Sequence, residues 1–229
     1  MVAYLDEPPF GIPAQGGAPP SGCDMELAGH ALRGAGVARV DHQLTTFPEL
    51  IPGLLDRRWP VITPIFVTPE RAEVVAFSRP VWAAEDGFIV RRGDADRYTS
   101  YEAIAASADA VLAVVRGQVQ HETARRAGVP DVRVAQFDDQ HAAAEAVREG
   151  RADASASTAA RNRAYLGRAA AGGALAAVTN RSPVGQERVP VGAFAFHPQD
   201  RDLRAAVDAV LEDFLGSPGH LDLMARYGW

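Results

Sequence analysis

Strand-like and helix-like segments alternate along almost the whole of this chain, and the alternation lapses once near Val90 before it resumes at Ser100. Such alternation places helices on the faces of sheets, so it predicts an α/β fold, and the lapse predicts two sheets. The first series opens with a strand, VAYL, then a Pro/Gly-rich loop over 8–20. A helix follows, carrying Met25, Leu27, Ala28, Ala31 and Leu32 and ended by Gly34 and Gly36. Next come a strand with Val37 and Val40 and a short helix that Thr46 caps, with Leu50, Ile51, Leu54 and Leu55 inside. Pro52 and Gly53 predict that this helix is weak or broken. Residues 61–66 and 81–90 read as buried strands on either side of a helix over 68–75.

The second series places helices over 101–106, 123–127, 139–149 and 158–169, and strands over 110–115, 131–137 and 152–156, with a turn at Gly117. The alanine-rich stretch 169–177 is a low-complexity tract. A strand over 189–196 precedes a long helix whose Leu203, Val207, Val210, Leu211 and Phe214 share one face. The pattern predicts a chain that enters a second lobe near 88–93 and returns near 191–196. The first lobe is then 1–88 plus 193–229 and the second 89–192, joined by a two-strand hinge with a ligand cleft between them.

A chain of 229 residues, 47% hydrophobic, can bury a real core. The formal net charge of −6 and the absence of a Lys/Arg-rich run argue against nucleic acid as a partner. No apolar run approaches the roughly 18 residues that cross a bilayer, so no membrane insertion is expected. Cys23 is the only cysteine, which excludes an internal disulfide, and the six histidines show no H-E-x-x-H spacing. No metal, cofactor or catalytic residue is assigned, because neither a nucleophile elbow nor a phosphate loop is present. Met1 stands directly before the first strand, without the basic and apolar regions of a secretory signal. A trimmed leader and an extracytoplasmic protein are the favoured expectation; a cytoplasmic protein is the alternative.

The stretch PIFVTPERAEVVAFSRPVW (64–82) carries the most chemistry. Thr68 caps a helix, Pro69 suits its first position, and Arg71 follows on the first turn, five residues after Phe66. A guanidinium beside unsatisfied backbone N–H groups suits a small carboxylate; the bland alternative is a surface pair with Glu70 or Glu73. Phe10, Phe47 and Phe66 are aromatics that a two-lobed fold brings to a cleft edge, although a lone phenylalanine is usually core. Glu7 is an acid in the opening loop, suited to an amidinium or ammonium or simply solvated. Gln118, after Gly117, and Thr158 both stand at expected helix starts, where an amide or hydroxyl either meets a ligand or caps the helix. Trp59, Trp82 and Trp229 read as packing residues.

Several stretches, in order, resemble the amino-acid-type (family 3) solute-binding proteins of ABC importers: DEPPFG (6–11), SGCDMELA (21–28), TFPELIPGLL (46–55), the Arg71 segment with FSRPVW, VVRGQVQ (114–120) and REGRADASAST (148–158). RRAGVPDVRV (125–134), STAARNR (157–163) and VGAFAFHPQDRDLRAAV (191–207) make the chain look most like the receptors for ectoine and hydroxyectoine. The resemblance implies a type II periplasmic-binding-protein fold, a small zwitterionic ligand, an ABC permease as partner and a monomer. It implies Glu7, Phe10, Phe47, Phe66, Arg71, Gln118 and Thr158 as ligand contacts. The departures are Phe66 and Gln118 at positions that usually hold small hydroxyl residues, and Thr158 where the family usually has a carboxylate for an α-ammonium. An ammonium left unpaired is costly to bury, so the expectation is a ligand whose positive charge is delocalised or alkylated and faces aromatic rings. The rival reading is a cyclohexadienyl-dehydratase-like enzyme with Glu7 or His121 as acid or base. A third is a soluble sensing or scavenging protein.

Overall fold

The computed structural model of the chain describes residues 1–168, 173–181 and 189–228. The chain forms two compact units, Met1–Ala83 with Val191–Trp229, and Ala84–Pro190. The unit boundaries fall a few residues from the sequence-drawn 88/89 and 192/193, because whole strands go to one sheet or the other.

The first unit is built on a sheet of β1 (Val2–Tyr4), β2 (His42–Leu44), β3 (Val61–Phe66), β4 (Ala76–Phe77), β5 (Trp82–Ala83) and β11 (Val191–Phe196). Its order is β2-β1-β3-β11-β4, with β5 also on β11; β1 is parallel to β2 and β3, while β11 runs antiparallel to β3, β4 and β5. Strand alternation splits the core into two faces. On one face Val2, Val61, Phe194 and Phe196 meet Leu27, Ala28, Ala31 and Leu32 of α1 (Cys23–Gly34) and Val207 and Leu211 of α8 (Arg201–Phe214). On the other, Ala3, Ile62, Ile65 and Ala195 meet Leu50 and Leu54 of α2 (Phe47–Leu55). This second face also holds Trp59. α3 (Pro69–Ala72) and α9 (Pro218–Arg226) complete the unit.

The second unit contains β6 (Asp86–Arg91), α4 (Tyr101–Ala106), β7 (Leu112–Val115), α5 (Gln120–Arg126), β8 (Val134–Phe137), α6 (Gln140–Arg148), β9 (Ala154–Thr158), α7 (Ala159–Arg168) and β10 (Leu175–Thr179). The strand order is β10-β6-β9-β7-β8, with β7 parallel to β8 and β9 and with β6 antiparallel to β9 and β10. Phe88, Tyr98, Tyr101 and Ile104 fill one side of it, and the alanines of α6 pack on the other with Ile89 and Leu175.

Several sequence-based expectations need correction. Val37 and Val40 lie in a loop, half-buried against the α1–α8 core, and the strand comes later, at 42–44. The expected strand 81–90 is two strands belonging to different sheets, β5 and β6. The expected helix 68–75 is one turn, because the N–H groups of Val74 and Val75 both bond to the carbonyl of Arg71 before β4 begins. The expected strand 131–137 starts with a 3-10 turn at Asp131–Arg133. The α2 helix is continuous despite Pro52. Trp59 packs onto it: its indole N–H donates to the Leu50 carbonyl at 3.0 Å and its ring lies over Gly53, where a Cβ would sit 2.0 Å from it. Part of the alanine-rich tract folds as β10; residues 169–172 of it, and Trp229, lie outside the described residues.

Candidate functional site

The opening loop of the first unit is fixed from two directions. Inside it, the Phe10 N–H donates to the Glu7 carbonyl at 2.8 Å, and the Glu7 N–H donates to the Gly11 carbonyl at 2.9 Å, closing a tight turn. Outside it, the carbonyls of Pro9 and Phe10 accept the first N–H groups of α1, from Cys23 at 3.0 Å and Asp24 at 3.1 Å. Helix α1 has no side-chain cap, so the loop itself satisfies donors that a helix start leaves unpaired. Gly22 makes this possible. Its φ is 125°, and a Cβ there would lie 2.2 Å from the Phe10 carbonyl oxygen. Phe10 is thus held against Cys23, Leu223 and Met224, with only 6% of its surface exposed.

Arg71 is placed by the single turn α3. Thr68 caps that turn, its hydroxyl accepting the Arg71 N–H at 3.3 Å, and Pro69 opens it, as the sequence predicts. The guanidinium Nη1 donates to the carbonyl of Phe66 at 2.8 Å, and Cζ lies 5.2 Å from the ring centre of Phe47. One arginine therefore joins the end of β3 to the start of α2. Burial lowers its pKa to about 10, while the charges of Glu70 and Glu7 favour its charged form. It stays a cation at neutral pH.

Trp82 is the packing residue that the sequence predicts, and it also links the remaining aromatics, which the sequence alone does not reveal. Its ring is edge-on to Phe66 at 5.3 Å and tilted against Phe10 at 5.4 Å. Its indole N–H donates to Oδ1 of Asp24 at 3.0 Å. Asp24 is 2% exposed. Burial pushes its carboxyl up to about 8; the indole N–H pulls the other way, and the charge of Glu7 adds to the rise. SGCDMELA contained the one available signal, an acid among apolar residues at a helix start.

Gln118 and Thr158 lie in the second unit. Gly117 has a φ of 81°, and the Gln118 N–H bonds back to the Val115 carbonyl at 3.1 Å, turning the chain into α5. Thr158 ends β9, and its hydroxyl accepts the N–H of Arg161 at 3.2 Å, which caps α7. Directly opposite Thr158 in the ladder stands Asp86. This buried carboxylate accepts the Tyr101 hydroxyl at 2.8 Å and the Gln120 amide at 2.7 Å, one on each oxygen. Burial raises its pKa, and those two donors oppose the rise. His121 also finds a carboxylate that sequence reasoning did not give it, Asp131 at 3.3 Å; the pair sits on the surface with Asp131 66% exposed. Among the described residues no cluster of His, Cys, Asp and Glu could hold a metal ion.

The sequence matches the profile of the bacterial extracellular solute-binding proteins, family 3, over residues 1–228. The chain belongs to that family. A probable amino-acid ABC transporter periplasmic-binding protein, y4tE of Sinorhizobium fredii (strain NBRC 101917 / NGR234), is 30% identical over 213 residues, 91% of this chain and 70% of the relative. Among solved structures, EhuB in complex with hydroxyectoine superposes with a TM-score of 0.86 at 26% identity, covering 100% of this chain and 87% of that one. An ancestral amino-acid-binding precursor of cyclohexadienyl dehydratase superposes at 0.83 and 23% identity over 99% and 94% of the two chains, a likeness of fold alone. The fold is the type II periplasmic-binding-protein fold. Among the described residues no helix is long and apolar enough to cross a membrane.

Proposed function

We propose that this family 3 protein is an extracytoplasmic, monomeric receptor that binds a small carboxylated zwitterion of the ectoine type and hands it to an ABC permease without chemical change. The observation that carries the reading is the joining, within one unit, of a half-buried guanidinium to the ring of one phenylalanine and the main chain of another. Arg71 lies over Phe47 and bonds to the main chain of Phe66. Such a guanidinium suits a carboxylate through charge-assisted hydrogen bonds, and phenyl faces suit an alkylated or delocalised cation. Glu7, whose charge reaches both Arg71 and Asp24, adds a negative field for the ligand's cation. Phe10 contributes mainly from behind, given its burial, while Phe47 and Phe66 are half-buried.

The similarity to EhuB with hydroxyectoine supports this ligand class, and the amino-acid name of the Sinorhizobium relative supports amino-acid derivatives as the alternative. Asp86, opposite Thr158, is buried and engaged by the Tyr101 hydroxyl and the Gln120 amide, which supports a ligand without a free α-ammonium. A thermal-shift screen of ectoine, hydroxyectoine, betaines, proline analogues and the common amino acids, followed by calorimetry, tests the reading, since a ligand of the native state raises apparent stability. Ectoine or hydroxyectoine should give the largest shift. Tight binding of glutamine or arginine with no response to either ectoine overturns the ligand class. Turnover of a carboxylated cyclohexadiene overturns the receptor reading in favour of the enzyme. Gln118→Ala tests separately whether the second unit contributes a contact.

A further inference from the structure

Gly192 lies between two aromatic residues across the first sheet. On one side its register partner is Phe66 of β3; on the other it is Trp82 of β5. Residues directly opposite in a sheet carry their side chains on the same face, so a side chain at Gly192 would stand between the two rings. With none there, the indole covers the glycine: a Cβ at Gly192 would lie 2.2 Å from the Trp82 ring, far inside contact distance. The ring comes to rest edge-on against Phe66 at 5.3 Å and against the buried Phe10 at 5.4 Å. Its N–H is anchored at the far side on Asp24, which the first turn of α1 holds in the core.

We infer that Asp24, Trp82 and Gly192 form a positioning device that sets the ring of Phe66, and so tunes the receptor for ligands whose cation is alkylated or delocalised. This inference rests on the receptor reading above. Trp82 is a positioning residue in it: a relay of rings runs from the core-bound Phe10 through Trp82 to Phe66, whose main-chain carbonyl also receives Arg71. One element therefore fixes the aromatic face, and the same residue's main chain fixes the guanidinium. Cation–π attraction depends on where the ring face points, so a displaced indole should cost affinity for an alkylated cation even with every ligand-facing side chain intact.

The test uses the whole protein, with ectoine as the probe and glutamine for comparison. Gly192→Ala drives the indole from its seat while the residues at 66, 47 and 71 stay unsubstituted, and should weaken ectoine by about tenfold. Asp24→Leu removes the indole's acceptor and should do the same, while Asp24→Asn keeps a carbonyl oxygen for the N–H and should restore wild-type affinity. The near-ultraviolet circular dichroism of ligand-free protein, taken as the difference from Trp82→Phe, reads the indole directly. It should change in Gly192→Ala and Asp24→Leu and persist in Asp24→Asn. Wild-type ectoine affinity in variants whose Trp82 signal has changed overturns the inference, and so does an unchanged signal in Asp24→Leu. If wild type binds no ectoine, the ligand reading fails; the dichroism then still decides whether Asp24 positions Trp82. If Gly192→Ala does not fold, the Leu and Asn pair carries the test.

Discussion

Each unit of this molecule buries an aspartate, and the two are used differently. Asp86 in the second unit accepts one donor on each oxygen, the Tyr101 hydroxyl from α4 and the Gln120 amide from α5, so its contacts stay among core side chains and tie two helices to β6. Asp24 in the first unit accepts the Trp82 indole on Oδ1, and that indole goes on to touch Phe66 and Phe10. The second carboxylate is a knot, whereas the first is the root of a chain of contacts that reaches the candidate ligand residues. A buried polar network fixes its members in either case; what differs is whether the last member is itself buried.

The largest expected effect concerns pH and Asp24. Its pKa in the folded protein is raised from the ordinary 3.8 to about 8. Between those values the folded state holds a proton that the unfolded state has lost. Its stabilising contribution is therefore complete below about pH 4 and fades as pH rises towards 8. For this one group the slope is at most about 1.4 kcal/mol per pH unit. Glu7 and Cys23 face the same carboxyl, and burial raises the Cys23 thiol as well. Asp24→Asn cannot ionise, so denaturant unfolding from pH 5 to 8 should show the variant gaining on wild type as pH rises. A constant difference would mean that Asp24 ionises normally in the fold.

Next in size is Arg71→Ala, which should weaken ectoine binding by roughly ten- to a hundredfold, the worth of a charge-assisted contact of about 1.5–3 kcal/mol. The fold should survive, because Arg71 sits on a single exposed-side turn and the Phe47 ring it covers keeps its own packing on the core around Leu50 and Ile62. Calorimetry on the variant decides it, and unchanged affinity removes Arg71 from the site. Phe66→Thr should cost up to about tenfold for ectoine and less for glutamine or arginine. Restoring a hydroxyl there should not confer amino-acid binding, since Thr158 still lacks charge. Equal losses for both ligand types would show that Phe66 acts through packing and not through its ring face.

The alternation of apolar segments made both sheets legible, and with them α1, α6, α8, β3 and β7, since each buries a face that its own spacing defines. The assignment of residues 81–90 was not legible in the same way. A run of buried residues reports burial but not which sheet it joins, and here the chain changes sheets after Ala83. Arg71, Thr68 and Pro69 were readable because capping is local. The linking role of Trp82 was not, because its partners Asp24, Phe10 and Gly192 come from three distant segments, and only the register of β11 between β3 and β5 brings Phe66 to it. The burial of Phe10 likewise depends on Leu223 and Met224 near the other end of the chain.

The smallest expected effect sharpens the contrast from the second unit's side. Thr158 has a structural duty: its hydroxyl accepts the Arg161 N–H at 3.2 Å and closes the first turn of α7. Thr158→Ala should cost about 1 kcal/mol of stability, the usual loss when a capping hydroxyl is removed. Thr158→Ser keeps the oxygen and should restore most of it. As a ligand contact the same hydroxyl would add a neutral hydrogen bond, worth about 1 kcal/mol at most beside the charged contact of Arg71. Alanine should then weaken ectoine by no more than a few fold, and serine should recover that too. Unfolding and calorimetry on the two variants separate the duties: stability lost with affinity intact makes Thr158 a cap alone and leaves ligand discrimination to the aromatic residues of the first unit.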